Sequence, residues 1–443
     1  MTQEAIFIFS GHEWNPAERT AKFFYKLQKD GENLNFTEVL TFPLDKPLTN
    51  VPQELLKKLL NSLLLVLGVS YYKIFCPKKI VLENITLSKE QAEFWNIVYT
   101  KGLGEFFYKN KIDFRGLINF PFSDSASETA VSFPRQNKSL VGIGGGKDSV
   151  VTAELLSANK KDFTCFVVNK HDVRDDILSL LGKDVISVTK KVDLQLAELN
   201  KRDDVYNGHF PISAQYAFIG LLTAALYDYQ FIIVSNEHSS NYGSVLYYDM
   251  EINHQWSKSL EFETLFQEYA KKYITNDITY FSLLRSMSEI SIVKTFINYP
   301  KYFPYFVSCN GNFTTIAPRS GKKWCGNCAK CAFVFVMLSA FLPKEEVVKI
   351  FGQNLLSRVD LIGTYKELLG VEDIKPFDCV GTPDEVKVAF NLTLKRGEYD
   401  SDFVMRFFKE EVLPKTPNIE DLERQIFEAS NENKIPEEFK NIK

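Results

Sequence analysis

Three consecutive glycines, Gly144, Gly145 and Gly146, constrain this chain more than any other stretch. Glycine loses the most backbone freedom on ordering and has no side chain to pack, so such a run belongs to a connection between elements. Before it lies a short apolar run, Leu140 to Ile143, of strand character. After it come Lys147, Asp148 and Ser149, then Val-Val-Thr-Ala-Glu-Leu-Leu, which suits the start of a helix. The order strand, glycine loop, helix start gathers exposed backbone N–H groups and the positive end of a helix dipole at one point. That point suits a phosphate or pyrophosphate. Ser149 is the expected N-cap, and Lys147 adds a formal charge.

Two common phosphate loops fit badly. A Walker A loop needs Ser or Thr after its Gly-Lys and an earlier glycine, but Asp148 follows Gly146-Lys147 and position 141 is Val. The dinucleotide fingerprint fails because Lys147 stands where its last glycine belongs. The remaining pattern, Gly-Gly-x-Asp-Ser, resembles the PP-loop of the N-type ATP pyrophosphatases, usually Ser-Gly-Gly-x-Asp-Ser. Gly144 takes the usual serine position, so one hydroxyl contact is missing. The resemblance implies ATP cleavage between the α and β phosphates and adenylation of a substrate oxygen. In that reading Gly144, Gly145, Gly146 and Ser149 hold pyrophosphate, Lys147 assists, and Asp148 binds Mg²⁺ or orients the loop. The plain alternative is a glycine-rich βα turn without a ligand.

From Ser139 onward, short apolar strands alternate with helical segments. Strand character marks Leu140–Ile143, Phe163–Asn169, Asp184–Thr189 and Phe231–Ser235, and helical character marks Val150–Ala158, Asp172–Leu181 and Pro211–Tyr229. This alternation predicts an α/β fold with a doubly wound parallel sheet over residues 136–342. Ligands of such sheets sit at the carboxyl ends of strands. Three polar clusters fall there: Gly144 to Ser149, Asn169 to Asp172, and Ser235 to Ser240. A turn alone does not call for Glu237 and His238 directly after an apolar strand. Glu237 is a candidate second Mg²⁺ ligand, and His238 a candidate acid/base. Asn169 and His171 are either adenosine contacts or ordinary polar strand ends. Arg285 and Glu289 share a face if helical, as an ion pair or as substrate contacts.

Residues 1–135 read as an N-terminal α+β domain. Ala5–Ser10 and Leu34–Phe42 are expected strands, and Pro52–Val66 and Ser88–Phe107 expected helices, the second opened by a Ser88/Gln91 capping box. His12-Glu13-Trp14 reads as a surface loop, with a ligand-facing role as the alternative. Residues 121–134 read as a linker. Residues 343–443 read as a small helical region broken by Pro376, Pro383, Pro414 and Pro417, with a charged, partly mobile tail from Asn418.

The chain of 443 residues, with 45% hydrophobic and 24% charged residues, has material for two or three domains with ample cores. Its net charge of −4 speaks against non-specific nucleic-acid binding. The 37 Phe and 20 Tyr are read as core filling. The N-terminal stretch lacks the features of a signal peptide, and the apolar run Leu59–Val69 is interrupted by Asn61 and Ser62, so a cytoplasmic protein without a membrane span is expected. Seven cysteines, three of them in Cys325-Gly-Asn-Cys328-Ala-Lys-Cys331, point to a reducing compartment and a metal. With Cys309 as fourth ligand the cluster suits structural Zn²⁺; redox chemistry, sulfur transfer and an Fe–S cluster are the alternatives. Cys76, Cys165 and Cys379 are read as core packing.

A PP-loop followed by a Cys-Gly-x-Cys-x-x-Cys cluster is similar to two families. The 7-cyano-7-deazaguanine synthases are about half this length, and the gap from Cys309 to Cys325 exceeds theirs. The MurL family, the UDP-N-acetyl-α-D-muramoyl-L-alanyl-L-glutamate epimerases, is similar in length. The chain resembles it in residues 144–149, in Ser-Asn-Glu-His-Ser-Ser-Asn-Tyr-Gly (235–243) and in residues 325–335. That resemblance implies an ATP- and Mg²⁺-dependent epimerase. Its substrate would be the UDP-linked muramoyl dipeptide, whose terminal L-Glu becomes D-Glu through an adenylated carboxylate in peptidoglycan precursor synthesis. Alternatives are a carboxylate-adenylating synthase of the deazaguanine type, a tRNA sulfur transferase, and a nucleotide-binding regulator.

Overall fold

The computed structural model describes residues 5–126, 129–309, 323–372 and 374–442. Its strands are β1 (Ile6–Asn15), β2 (Thr20–Lys29), β3 (Glu32–Thr41), β4 (Lys79–Leu82), β5 (Ser139–Gly142), β6 (Phe163–Val168), β7 (Val185–Lys191), β8 (Phe231–Val234), β9 (Val245–Tyr247), β10 (Met250–Ile252) and β11 (Thr279–Ser282). Nine of them form one sheet in the order β11-β8-β5-β6-β7-β3-β2-β1-β4, and β9 and β10 form a separate hairpin. β11, β8, β5, β6 and β7 run parallel. The antiparallel meander β1–β3 joins them through Val39↔Lys191, Leu40↔Lys190 and Thr41↔Thr189. The fold is therefore mixed α/β around a large, mostly parallel sheet. The strands before residue 135 continue the same sheet as those after it.

Side-chain alternation explains the layering. Phe166 and Val168 of β6 enter one core, while Cys165 and Val167 enter the other. Ile232 of β8 faces the first core, and Phe231 and Ile233 face the second. Helices Gln53–Leu67, Lys89–Gly102, Ile212–Tyr227 and Leu260–Tyr269 cover the first face. Helices Lys147–Ala158, Glu289–Phe296, Ala329–Ser339, Lys344–Phe351 and Pro383–Arg396 fill the second. The helical run Gln53–Tyr72 is long and apolar enough to cross a membrane, but most of it is buried in the first core. Aromatic abundance is spent here as expected, for instance on the stacked rings of Phe36, Tyr71 and Tyr25.

β5 has β6 on one side and β8 on the other. The chain winds outward from β5 in one direction and resumes in the other, so the carboxyl end of β5 is the switch point at which open α/β sheets bind ligands. The triple glycine occupies this position.

Several sequence expectations hold. The helix Asp172–Leu181 has the expected bounds. The Ser88 hydroxyl accepts from the Gln91 N–H at 3.3 Å, and the Ser88 N–H donates to Gln91 at 2.9 Å, closing the capping box. Others are corrected. His12, Glu13 and Trp14 lie within β1 instead of a loop; the His12 ring meets Asn61 at 2.9 Å and Trp14 packs edge-on against Phe42. The tail from Asn418 is anchored: Ile419–Phe427 is helical, and the Phe439 ring lies 5.0 Å from those of both Phe231 and Phe281. The stretch 121–134 has no regular structure in its described residues. It is still tied down, because Val131 donates to Ile274 at 2.9 Å and Phe133 to Asp277 at 2.5 Å.

Candidate functional site

The loop after β5 is shaped by its glycines. Gly145 has φ +90°, a left-handed conformation that a side chain resists. A Cβ there would also meet Arg174 at 3.1 Å, and one on Gly146 would meet the Ser308 hydroxyl at 2.8 Å. The loop is pinned from outside by the Val307 N–H, which donates to Gly145 at 3.0 Å. Gly146 caps the following helix; Ser149 is not the N-cap. The Ser149 hydroxyl instead donates back to the Gly146 carbonyl at 3.0 Å. Gly145→Ala is expected to cost about 1–2 kcal/mol, which a melting curve measures; an unchanged melting temperature would mean that the left-handed conformation carries no strain.

Lys147, the first residue of the helix, is completely buried, and its amine contacts both Asp148 and Glu289. Burial opposes its charge, but the two carboxylates more than compensate and hold it protonated. Glu289 also receives Lys330 at 3.5 Å. Burial pushes its carboxyl up, and the two lysines outweigh that and hold it well below the usual range. The Lys147 charge is thus committed inside the protein, orienting Asp148 and stiffening the loop. Glu237 lies in the same charge field. Burial, with Glu289 adding to it, raises its pKa, opposed by Lys258. The His238 N–H donates to Met287 at 2.9 Å, and among the described residues its buried Nδ1 has no hydrogen-bond partner.

Arg285 and Glu289 do not pair with each other. Arg285, 0% exposed, binds Glu263 at 2.8 Å and also donates to the Glu237 carbonyl at 2.8 Å, the Ser240 hydroxyl at 2.9 Å and the Lys258 carbonyl at 2.6 Å. It lies ahead of the helix Glu289–Phe296, so the two side chains do not share a face. From the C-terminal region Glu385 reaches in, accepting from the Ser239 hydroxyl at 2.7 Å and the Glu289 N–H at 2.6 Å.

Beyond β6, a cavity of about 220 Å³ is lined by Asn169, His171, Arg174, Leu178, Val185 and Ser187, among others. The Asn169 side chain accepts from the Lys190 N–H at 2.6 Å, and its φ is +61°. It therefore shapes this strand end as well as lining the cavity. Arg174 escaped the sequence reading. It donates to the Val168 and Asn169 carbonyls at 3.0 and 3.3 Å and closes over Gly145. The only available signal was a lone arginine in the first turn of a helix, and lone arginines are common on surfaces.

The four cysteines converge. Sulfur–sulfur distances are 3.5 Å for Cys328–Cys331, 3.7 Å for Cys325–Cys331 and 4.0 Å for Cys309–Cys328, and all four sulfurs lie within 4.8 Å of one another. A tetrahedron of sulfurs at the usual zinc–sulfur distance has edges of roughly 3.8 Å, so these residues fit a tetrahedral ion. Residues 310–322, between Cys309 and the cluster, lie outside the described residues.

Cys76 and Cys165 are buried core thiols. Cys379 is not: its sulfur lies 3.2 Å from the Lys258 ammonium. A single cysteine in an irregular stretch shows no such environment in the sequence.

Residues 1–283 match the MurL N-terminal domain family, and residues 305–423 match the MurL C-terminal domain family. Three curated relatives carry the name UDP-N-acetyl-alpha-D-muramoyl-L-alanyl-L-glutamate epimerase. That of Xanthomonas oryzae pv. oryzae is 36% identical over 379 residues, covering 85% of this chain and 83% of the relative. That of a Micromonospora species is 35% identical over 403 residues, covering 90% and 89%. That of Salinispora tropica is 33% identical over 389 residues, covering 87% and 84%.

Proposed function

This chain belongs to the MurL epimerase family, and on that premise we propose that it inverts the terminal L-Glu of UDP-N-acetyl-α-D-muramoyl-L-alanyl-L-glutamate to D-Glu, with ATP spent to adenylate a glutamate carboxylate. The observation that carries the ATP-dependent step is the loop Gly144–Ser149, set at the strand-order reversal and rigidified by buried Lys147.

The chemistry requires activation. A Cα–H beside a carboxylate is only feebly acidic, because the carbanion would sit next to a negative charge. Adenylation removes that charge, so a base can take the proton from one face and an acid can return one on the other.

The chain's residues divide the work. Gly144, Gly145, Gly146 and Ser149 surround the pyrophosphate, in the manner of a PP-loop within a doubly wound sheet. Lys147 holds Asp148 in place. Asp148 and Glu237 would hold Mg²⁺, which neutralises phosphate charge when bound. Asn169, His171 and Arg174 border the space for the adenosine. His238, whose Nδ1 has no hydrogen-bond partner among the described residues, is an acid/base at the substrate. Cys309, Cys325, Cys328 and Cys331 would hold a structural Zn²⁺, leaving the helix Ala329–Ser339 fixed against the sheet. The reaction belongs to the cytoplasm, where ATP is available and thiols stay reduced.

The test is incubation with ATP, Mg²⁺ and the UDP-muramoyl-dipeptide in D₂O. Expected are AMP, pyrophosphate and D-Glu carrying deuterium at Cα. AMP without deuterium would instead favour a carboxylate-adenylating synthase.

A further inference from the structure

We propose that Cys379, held beside Lys258 and the His254–Glu105 pair, is a proton-transferring acid/base at the substrate Cα. The proposal rests on the epimerase reading and adds to it a second proton-transfer group beside His238.

Four distant parts of the chain build this cluster. Glu105 belongs to the short helix Gly104–Lys109 and is 5% exposed. Its carboxylate meets the His254 Nδ1 at 2.5 Å, the Lys109 ammonium at 2.6 Å and the His209 Nδ1 at 3.5 Å. His254 stands beside Cys379, and the two interact electrostatically. The Lys258 ammonium lies 3.2 Å from the sulfur. The Cys379 backbone is fixed as well: its N–H donates to Asp378 at 2.8 Å, and its carbonyl accepts from Lys330. A carboxylate orients an imidazole near a thiol that an ammonium contacts directly, and this arrangement suits an activated sulfur.

The electrostatics agree. Burial would raise the Cys379 pKa, but Lys258, His254 and Lys330 bring it down to about 6. Burial would lower that of His254, but Cys379 and Glu105 bring it up to about 9. Burial would raise that of Glu105, but His254, His209 and Lys109 bring it down to about 2. At neutral pH the cluster is thiolate, imidazolium and carboxylate. Cys165, a packing thiol, is pushed the opposite way, to about 12, by burial.

The position is also right. Lys330 connects the Cys379 carbonyl to Glu289, which holds Lys147 of the glycine loop. The Lys258 carbonyl is gripped by Arg285, which also fixes the Glu237 carbonyl. The thiol therefore borders the charge cluster where the activated carboxylate would form.

The step balances without another reactant. The Cα–H bond of the adenylated glutamyl residue breaks, and its proton passes to the Cys379 sulfur. The electron pair moves onto the acyl oxygen as an enolate. A proton from His238, exchangeable with solvent, then forms the new Cα–H bond on the opposite face. Hydrolysis of the acyl phosphate releases AMP and the carboxylate.

The experiment compares full-length wild type with Cys379→Ser and Cys379→Ala. In these variants AMP and pyrophosphate formation is expected to stay within about threefold of wild type. Epimerisation and deuterium entry at Cα should fall by roughly 10²–10⁴-fold. Alkylation by iodoacetamide, followed at Cys379 by mass spectrometry, should show a midpoint near pH 6 and protection by substrate with ATP. In His254→Gln and Lys258→Met the midpoint should rise toward the ordinary thiol range, which a merely structural role does not predict. The titrating environment comprises Lys258, His254, Lys330 and Asp378, with Glu105, His209 and Lys109 behind His254. Retained deuterium entry in Cys379→Ala overturns the proton-transfer role alone. So does an ordinary thiol midpoint, or a second zinc bound by Glu105, His209 and His254. Wild-type protein that forms no AMP with the dipeptide removes the parent reading and this role together.

Discussion

Glu289→Ala is expected to lower the melting temperature by roughly 10 °C and to cut AMP formation by about 100-fold. Glu289 is 1% exposed and is the common partner of Lys147 and Lys330. Removing it leaves two buried ammonium groups short of a counter-charge. Breaking a buried pair in this way costs about 3–5 kcal/mol, because the abandoned charge keeps its desolvation penalty. The loop then loses the clamp on Lys147, and small displacements of positioning groups are worth about 10² in rate. The same clamp has a pH signature. Glu289 is held below the ordinary carboxylate range in the folded protein. Its contribution is therefore fully present above that range and disappears as acid titrates the folded carboxylate. Melting curves against pH should show wild type and Glu289→Gln converging below the ordinary carboxylate range. Parallel curves, or wild-type AMP formation in the alanine variant, would refute the clamp.

Cys328→Ser should be the more damaging change, leaving little soluble, folded protein. A structural zinc site is worth on the order of 10 kcal/mol, comparable with the whole stability of a typical domain of about 5–15 kcal/mol. The cluster also opens the helix Ala329–Ser339, whose residues from Lys330 to Ser339 are all buried. Releasing that helix would expose the centre of the second core. Metal analysis should find about one zinc per wild-type chain and loss of solubility with its removal by a chelator. Iron in place of zinc, or a soluble Cys328→Ser protein with an unchanged melting temperature, would contradict the assignment.

Legibility in the sequence followed the range of the interactions involved. β5, β6 and β8 were readable because they are short, mostly buried apolar runs between segments of helical period. β2, Thr-Ala-Lys-Phe-Phe-Tyr-Lys-Leu-Gln-Lys, was missed. Its adjacent aromatics and scattered lysines blur the alternation, and pairing with β1 and β3 on both edges settles its conformation. β4 and β11 were missed too, because their apolar runs, Ile80–Leu82 and Tyr280–Phe281, are shorter than those of the strands that were read. Arg285 and Glu289 show the limit of local rules. Spacing of four predicts a pair only within one helix, and here the helix begins at Glu289.

The sequence by itself determined the local chemistry of the opening loop: a glycine connection, a helix start and an acidic-hydroxyl ending. It also brought Cys325, Cys328 and Cys331 within reach of one ion, because six residues of chain cannot separate them far. Only the tertiary structure decided what surrounds these parts. Lys147 looked like a free cation for a phosphate and is instead committed to Asp148 and Glu289, 142 residues further on. Cys379 looked like filler and is instead addressed by His254 and Lys258, the latter 121 residues away. The physical reason is common to both. A charge's state depends on burial and on partners within a few ångströms, and folding, not sequence spacing, supplies those partners.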